Sequence, residues 1–466
     1  MGNLGKVVYL DGCRPVDIFP VQPEKQQTGP VQVTRKEKIN IVTLGCSKNV
    51  VDSEFLLKQL DANHLAVVHN AESFQYKTVI INTCGFIREA KQESVDTILR
   101  FLRAKEEGLI NHVYVMGCLS ERYKCELEKE IPDVDRYFGS NDLVFIIEHL
   151  GLHYRHNLVG ERLLTTPSHY AYLKISEGCD RSCAFCAIPL MRGRHVSRPV
   201  ELLREEAFSL GRSGVRELIL IAQDLTWYGL DLYKRQALPE LLEILSDIKG
   251  IDWIRLHYAY PATFPREVIR VMKERTNICN YLDIPFQHAS DKVLQMMRRN
   301  HTQKQNYELI DFIRKEIPGI TLRTTLMTGH PGEGEKEFDE LRQFVERVEF
   351  DRLGVFTYSE EEDTWAAGHY EDSVPQETKR DRAAEIMTIQ QSISKRLNNN
   401  KIHKIIKVLI DGREGEYYTG RAESDSPEVD NEILIPVNSR ELCIGEFYQV
   451  RMTGAEEYDL YGEVPE

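Results

Sequence analysis

The 466-residue sequence predicts an α/β fold in three parts: an N-terminal parallel α/β domain, a six-unit strand-helix full or partial barrel, and a small C-terminal β-barrel or sandwich. Two observations carry this. Short apolar runs alternate with amphipathic segments through most of the chain, the pattern of parallel strands joined by crossover helices. From about residue 401 the pattern changes to short alternating runs, as in small antiparallel barrels.

Residues 1–37 carry Pro15, Pro20, Pro23 and Pro30 among polar residues without a sustained period, and read as an extension with little structure, or as a misassigned start or cloning remnant. The N-terminal domain is expected over 38–150. Its strands fall at 39–44, 78–81 and 113–116, with helices from about Asp52, from about Arg88 and after the third strand. Each strand runs into a cysteine: Leu44-Gly45-Cys46, Asn82-Thr83-Cys84 and Gly117-Cys118. The carboxyl ends of strands in an open α/β sheet share one crevice, so three thiols far apart in sequence can converge there.

After a connector near 151–168, the second domain is expected over 165–395, with strands at 172–176, 217–222, 253–257, 281–285, 322–327 and 353–358. Repeated strand-helix units of this kind close into a barrel with its active face at the carboxyl ends. A polar helix over 376–398 leads to the third domain, 399–464, with alternating runs at 405–410 and 447–452. No repeat of fixed period and no low-complexity tract interrupts this order.

A hydrophobic share of 42% with 28% charged residues reads as globular. No run approaches the roughly 18 apolar residues of a membrane span, and no secretory signal opens the chain, so no membrane is expected as partner and the cytoplasm is the expected compartment. In that reducing compartment the ten cysteines favour metal binding or reactivity over structural disulfides. A net charge of −14 speaks against a broad polyanion-binding surface, though a locally basic groove stays open.

The strongest local signal is the Cys-x3-Cys-x2-Cys loop of Cys179, Cys183 and Cys186, directly after the first strand of the second domain. Three thiolates on one loop can bind three irons of a cubane and leave the fourth open to chemistry. A structural zinc site would need a fourth ligand, for which His195 is the nearest candidate. Cys46, Cys84 and Cys118 form the second constellation, two of them preceded by a glycine that lets the backbone approach a bulky cofactor. Taken singly, each reads as a small buried apolar residue. Cys125, inside a predicted helix, is the rival to Cys118, while Cys13, Cys279 and Cys443 read as free or packed.

The three-cysteine loop resembles that of the radical S-adenosylmethionine (SAM) superfamily. The resemblance implies that the open iron chelates SAM and that one electron from the cluster cleaves it to a 5′-deoxyadenosyl radical. With the strand-end cysteines ahead of it, the chain from Ile39 to about Tyr461 resembles the methylthiotransferases. Their hallmarks stand here as Thr43-Leu44-Gly45-Cys46-Ser47-Lys48-Asn49, Arg192-Gly193-Arg194-His195-Val196-Ser197-Arg198-Pro199, Ala222-Gln223-Asp224, Asp283-Ile284-Pro285-Phe286-Gln287-His288 and Gly329-His330-Pro331-Gly332-Glu333. The family implies two [4Fe-4S] clusters, the first on Cys46, Cys84 and Cys118 and the radical SAM cluster on Cys179, Cys183 and Cys186. It also implies a radical-SAM (βα)6-type partial barrel followed by a TRAM barrel.

Gln223 and Asp224 at one strand end, and Gln287 and His288 at another, are candidates for orienting cofactor or substrate. Arg323, Thr325 and the turn from Gly329 to Glu333 could contact SAM, and Arg323 could equally pair with a structural carboxylate. His330 stands where many relatives have phenylalanine. No catalytic residue beyond the cluster ligands is assigned.

The branches of this family differ in substrate, transfer RNA or a small-subunit ribosomal protein. Ser47-Lys48 after Cys46 resembles the ribosomal-protein branch, which adds a methylthio group to the β-carbon of an aspartate. From Lys401 to Glu466 seven Lys and Arg stand against fifteen Asp and Glu, a net −8. Such a surface repels phosphates, so nucleic acid is not expected as substrate. It attracts a basic ribosomal protein, with the acidic segment 420–431 as a steering loop or as carboxylates that merely keep a surface solvated. An electron donor of low potential is also implied, of unidentified nature. The alternatives are a transfer-RNA adenosine methylthiotransferase and a non-catalytic iron-sulfur scaffold.

Overall fold

Val79 and Ile81 point to one side of a central strand and Ile80 to the other, and all three are fully buried. A strand covered on both faces belongs to the middle of a parallel sheet between two helical layers. The structure, a computed structural model, describes residues 38–158, 160–437 and 440–465, so the 1–37 extension and Cys13 lie outside the described residues. The chain divides into two compact units, up to Leu158 and from Val159, described separately below.

In the first unit β1 (Lys38–Thr43), β2 (Ala66–His69), β3 (Thr78–Thr83), β4 (His112–Gly117) and β5 (Arg136–Tyr137) form a sheet in the order β2-β1-β3-β4-β5. All neighbouring pairs run parallel. Val79, Ile81, Val113 and Val115 pack with Ile98, Phe101 and Leu102 on one face. Ile39, Ile41, Ile80 and Met116 pack with Leu56, Leu57, Leu60, Ile146 and Ile147 on the other. Each such side chain contributes roughly 1.5–3 kcal/mol on burial, enough to fix the register on which the strand ends depend.

Three crossover helices join these strands: α1 (Ser47–Ala62), α2 (Arg88–Glu106) and α3 (Cys118–Glu130). Helix α1 begins five residues before the position expected from apolar periodicity, about Asp52. The reason is that its first turn buries polar groups, Lys48 and Asn49, which carry no apolar period. The edge strands β2 and β5 escape sequence detection because one is half exposed and the other only two residues long.

The second unit opens with β6 (Tyr170–Lys174) and a short hairpin of β7 (Ser176–Glu177) with β8 (Val196–Ser197). It continues with β9 (Glu217–Ile221), β10 (Trp253–Leu256), β11 (Ile278–Asp283), β12 (Thr321–Thr328) and β13 (Arg352–Thr357). The six-stranded sheet runs β13-β12-β11-β10-β9-β6, all parallel and in chain order, and does not close. The partial barrel is therefore the form taken. Ala171, Leu173, Leu218, Leu220, Ile254 and Leu282 face the surrounding helices. The alternate residues, among them Tyr172, Glu217, Arg255, Tyr281, Arg323 and Arg352, face the opposite, inner side.

The helix Gln376–Asn399 leads to a closed barrel of β14 (Ile405–Glu414), β15 (Tyr417–Ala422), β16 (Ile433–Pro436), β17 (Phe447–Ala455) and β18 (Leu460–Glu463). Its core holds Val408, Ile410, Ile435, Val450 and Met452. The loop from β15 to β16 turns against the inner face of the six-stranded sheet. Asp425 pairs with Arg352, Asp430 accepts from Tyr281 Oη at 2.7 Å, and Glu428 accepts from Tyr170 and Tyr172 at 3.2 and 3.1 Å. Ser426 Oγ lies 2.8 Å from His257 Nε2.

This corrects one expectation. Segment 420–431 is not a free acidic steering loop, because Asp425, Glu428 and Asp430 are spent on polar groups of the partial barrel. The reason is chemical: an inner wall rich in Arg and Tyr is costly to bury without partners, and the loop supplies them. Among the described residues no helix is long and apolar enough to cross a membrane.

Candidate functional site

In the first unit Cys46, Cys84 and Cys118 stand at the carboxyl ends of β1, β3 and β4, which are adjacent in the sheet. Cys46 is exposed, Cys84 half-buried and Cys118 buried as the first residue of α3. Cys125 lies exposed farther along the same helix. The glycines before two of these cysteines also answer to the packing of the strand ends. Gly45 has φ +88°, and a Cβ there would lie 2.7 Å from Cys84 Cβ and 3.0 Å from its Sγ. Gly117 has φ +100°, and a Cβ would lie 2.5 Å from Asn82 Oδ1 and 2.6 Å from the Thr83 carbonyl. Both glycines let neighbouring strand ends approach closely.

In the second unit the β7–β8 hairpin brackets the loop of Cys179, Cys183 and Cys186. The Cys179 amide donates to the Gly193 carbonyl at 3.1 Å, and the Arg181 amide lies 3.4 Å from Cys179 Sγ. The Ala184 amide donates to Met297 O at 2.9 Å, and its carbonyl accepts from Ala366 at 2.8 Å. Gly178, with φ +71°, passes so close to Arg194 that a Cβ would lie 2.0 Å from its carbonyl oxygen. The loop is thus held on both flanks with its three thiols half-buried.

Burial pushes the Cys179 and Cys186 thiols up to about 12. Such thiols stay protonated until a cation takes the place of the proton, and a metal ion deprotonates them outright. Among the described residues no three His, Cys, Asp or Glu side chains are drawn together as ligands of one metal ion. A cubane differs in this respect, since each iron takes one thiolate and the thiols stand farther apart. His195, the fourth-ligand candidate for zinc, is 3.0 Å from Ser197 Oγ and 3.8 Å from Asp231 Oδ1.

Gln223 and Asp224 follow β9. Gln223 Nε2 donates to Glu177 Oε1 at 2.8 Å, and Lys174 Nζ and Arg192 Nη1 reach Glu177 Oε2 at 2.6 and 3.3 Å. Although burial opposes ionisation, Lys174 and Arg192 hold Glu177 down at about 2. Asp224 accepts from Arg181 Nε at 2.8 Å and from Thr226. Arg323, on the inner face of β12, lies 3.3 Å from Asp430 and 3.5 Å from Asp283, so its partners are carboxylates of the fold. Thr325 is half-buried on the same face, and its carbonyl accepts from the Gln287 amide at 2.9 Å.

His288 lies 3.1 Å from Glu333, itself 2.8 Å from Arg382, in a buried triad. His330 is fully buried among Phe185, Tyr358 and Tyr370, and that burial pushes it down to about 4.

Sequence reading passed over Arg299, Tyr260, Arg181 and Glu177. Arg299 Nη1 lies 3.8 Å from Cys183 Sγ, and its guanidinium packs on Tyr260 at 4.2 Å, where Arg181 also packs at 4.0 Å. Burial, with Arg299 beside it, pushes His301 down to about 3, so its neutral ring accepts from Arg299 Nε at 3.1 Å. Arg299 stands 113 residues after Cys186, and no spacing or period links them. Only Glu177, two residues before Cys179, and Arg181, inside the cysteine loop, carried a signal in their position.

Family models match three stretches of the chain: the Radical SAM superfamily over 173–345, the Uncharacterized protein family UPF0004 over 38–139 and the TRAM domain over 402–464. The chain is 56% identical over 430 residues to the ribosomal protein uS12 methylthiotransferase RimO of Bacteroides fragilis, covering 92% of this chain and 100% of the relative. The chain belongs to the RimO family of radical SAM methylthiotransferases. The RimO protein of Cytophaga hutchinsonii is also 56% identical, over 92% of this chain and 98% of its own. As a member of the RimO family the chain is an enzyme that transfers a methylthio group, and its radical SAM membership implies a [4Fe-4S] cluster and SAM. The radical SAM methyltransferase TsrM of Kitasatospora setae shares the fold at a TM-score of 0.51 and 12% identity, covering 69% of this chain and 73% of its own.

Proposed function

We propose that this enzyme adds a methylthio group to the β-carbon of an aspartate of ribosomal protein uS12, using two [4Fe-4S] clusters and SAM. The observation that carries the reading is the pairing of two three-cysteine sites in one chain, with full-length likeness to proteins named as uS12 methylthiotransferases. When bound, a cluster on Cys179, Cys183 and Cys186 would supply radical chemistry at a C–H bond, and one on Cys46, Cys84 and Cys118 would supply the sulfur.

Cys179, Cys183 and Cys186 hold the radical cluster, and Cys46, Cys84 and Cys118 hold the sulfur-bearing one. Arg299 and Arg181 place positive charge beside the Cys179 loop, where thiolate charge accumulates. Lys174, Glu177, Arg192 and Gln223 form a linked set at the strand ends whose donors orient polar groups of SAM. The basic substrate protein and a donor of low-potential electrons are the partners; the rival reading takes transfer RNA as substrate instead.

The test is mass spectrometry on a strain lacking the gene. The reading expects uS12 to lose a methylthio mass while transfer RNA is unchanged; loss from transfer RNA overturns it. For the second cluster, anaerobically reconstituted protein should hold about eight irons per chain, and about four would leave a single cubane.

A further inference from the structure

Asn49, in the first turn of α1, is fully buried, and its side chain reaches all three strand ends of the first unit. Its Nδ2 donates to the Leu44 carbonyl at 2.7 Å and to the Thr83 carbonyl at 3.1 Å. Leu44 precedes Gly45-Cys46, and Thr83 precedes Cys84 directly. Two carbonyl acceptors fix which end of the amide is nitrogen, so the oxygen must face the third strand end. There Oδ1 lies 4.0 Å from Cys118 Sγ.

The asparagine is itself held. Asn82 Nδ2 donates to the Asn49 carbonyl at 3.0 Å and to Ser53 Oγ at 3.0 Å, and Ser53 Oγ accepts from Thr43 at 2.7 Å. His69 Nε2 lies 2.9 Å from Thr43 Oγ1. The polar chain from half-buried His69 to buried Asn49 thus runs from β2 across β1 and α1 to β3, at the strand ends that lead into the cysteines. A buried hydrogen-bonded network of this kind favours one arrangement of the groups it joins.

We propose that Asn49 is the positioning residue of the Cys46, Cys84 and Cys118 site: one amide sets the spacing of the three thiols and places a dipole beside Cys118. The inference rests on the reading that these cysteines hold an iron-sulfur cluster. Outer-sphere groups that orient ligands and set hydrogen bonding and exposure at the sulfurs also set cluster potential. Removing the amide takes an oxygen dipole away from Cys118 and opens the site to water, and both changes favour the reduced, more negative cluster.

The test uses the full chain with Cys179, Cys183 and Cys186 all changed to Ala, so that only the first site can take iron. This background should reconstitute with about four irons. If it takes none, the two-cluster reading fails and the inference falls with it. On this background Asn49→Ala should lose at least half of the iron, and the cluster that remains should show a more positive midpoint potential and altered electron paramagnetic resonance g-values. Asn49→Asp keeps the shape but sets a carboxylate oxygen against the two carbonyls, so it should fare no better. Four irons with unchanged potential and g-values in both variants would overturn the inference while leaving the two-cluster reading intact. Asn49→Ala in the otherwise native chain controls for folding: its Cys179 loop should still cleave SAM, and loss of that cleavage would mean general misfolding and would overturn the specific role.

Discussion

Arg352, on the last strand of the open sheet, is ion-paired with Asp425 of the C-terminal barrel, and both side chains are buried. Breaking a buried pair from one side leaves an uncompensated charge and costs roughly 3–5 kcal/mol. Asp425→Ala and Arg352→Ala should each destabilise the protein by about that much in chemical unfolding. The double variant should cost clearly less than the sum, by about 1–3 kcal/mol of coupling. Additive losses would show that the pair does not join the two barrels energetically.

His330 gives a prediction in pH. Burial pushes it down to about 4 from an unfolded value of 6.5, so between these values the unfolded chain binds a proton that the folded chain refuses. Stability therefore falls as the pH drops from 6.5 to about 4 and gains no further slope from this residue below that. His330→Phe should remove up to about 3 kcal/mol of that fall. Parallel unfolding curves of the two proteins across this range would contradict it.

Much of this was legible in sequence for a physical reason. The strands of both sheets are short apolar runs broken by Gly, Pro or Asn, and Cys46, Cys84 and Cys118 each follow such a run, so topology alone gathers them. The start of α1 was misplaced because Lys48 and Asn49 are buried polar residues, invisible to periodicity. The role of segment 420–431 was misread because charge counting treats Asp425 and Asp430 as surface, whereas Arg352, Arg323 and Tyr281 claim them. Arg299 beside Cys183 depends on tertiary packing alone.

Gly45 and Gly117 should tolerate no side chain. Gly45→Ala combines an unfavourable positive φ with contact at 2.7 Å against Cys84 Cβ. Its first site should lose iron while SAM cleavage at the Cys179 loop persists. Iron content and 5′-deoxyadenosine yield, measured on the same sample, separate the two. Full iron content in Gly45→Ala would show that Cys84 does not need its present position.

Cys183→Ala should abolish reductive formation of methionine and 5′-deoxyadenosine, whereas Cys125→Ala should retain it and reconstitute fully. Iron loss in Cys125→Ala would move the third ligand of the first site from Cys118 to Cys125.

The most direct measurement is transfer itself. Reconstituted enzyme, SAM, a reductant and purified uS12 are combined, and the ribosomal protein is mapped by tandem mass spectrometry. The account predicts that one aspartate gains a methylthio group in place of a hydrogen, and that Cys84→Ala and Cys183→Ala each abolish the gain. An unmodified uS12 alongside methylthio-adenosine in transfer RNA from the same mixture would contradict it.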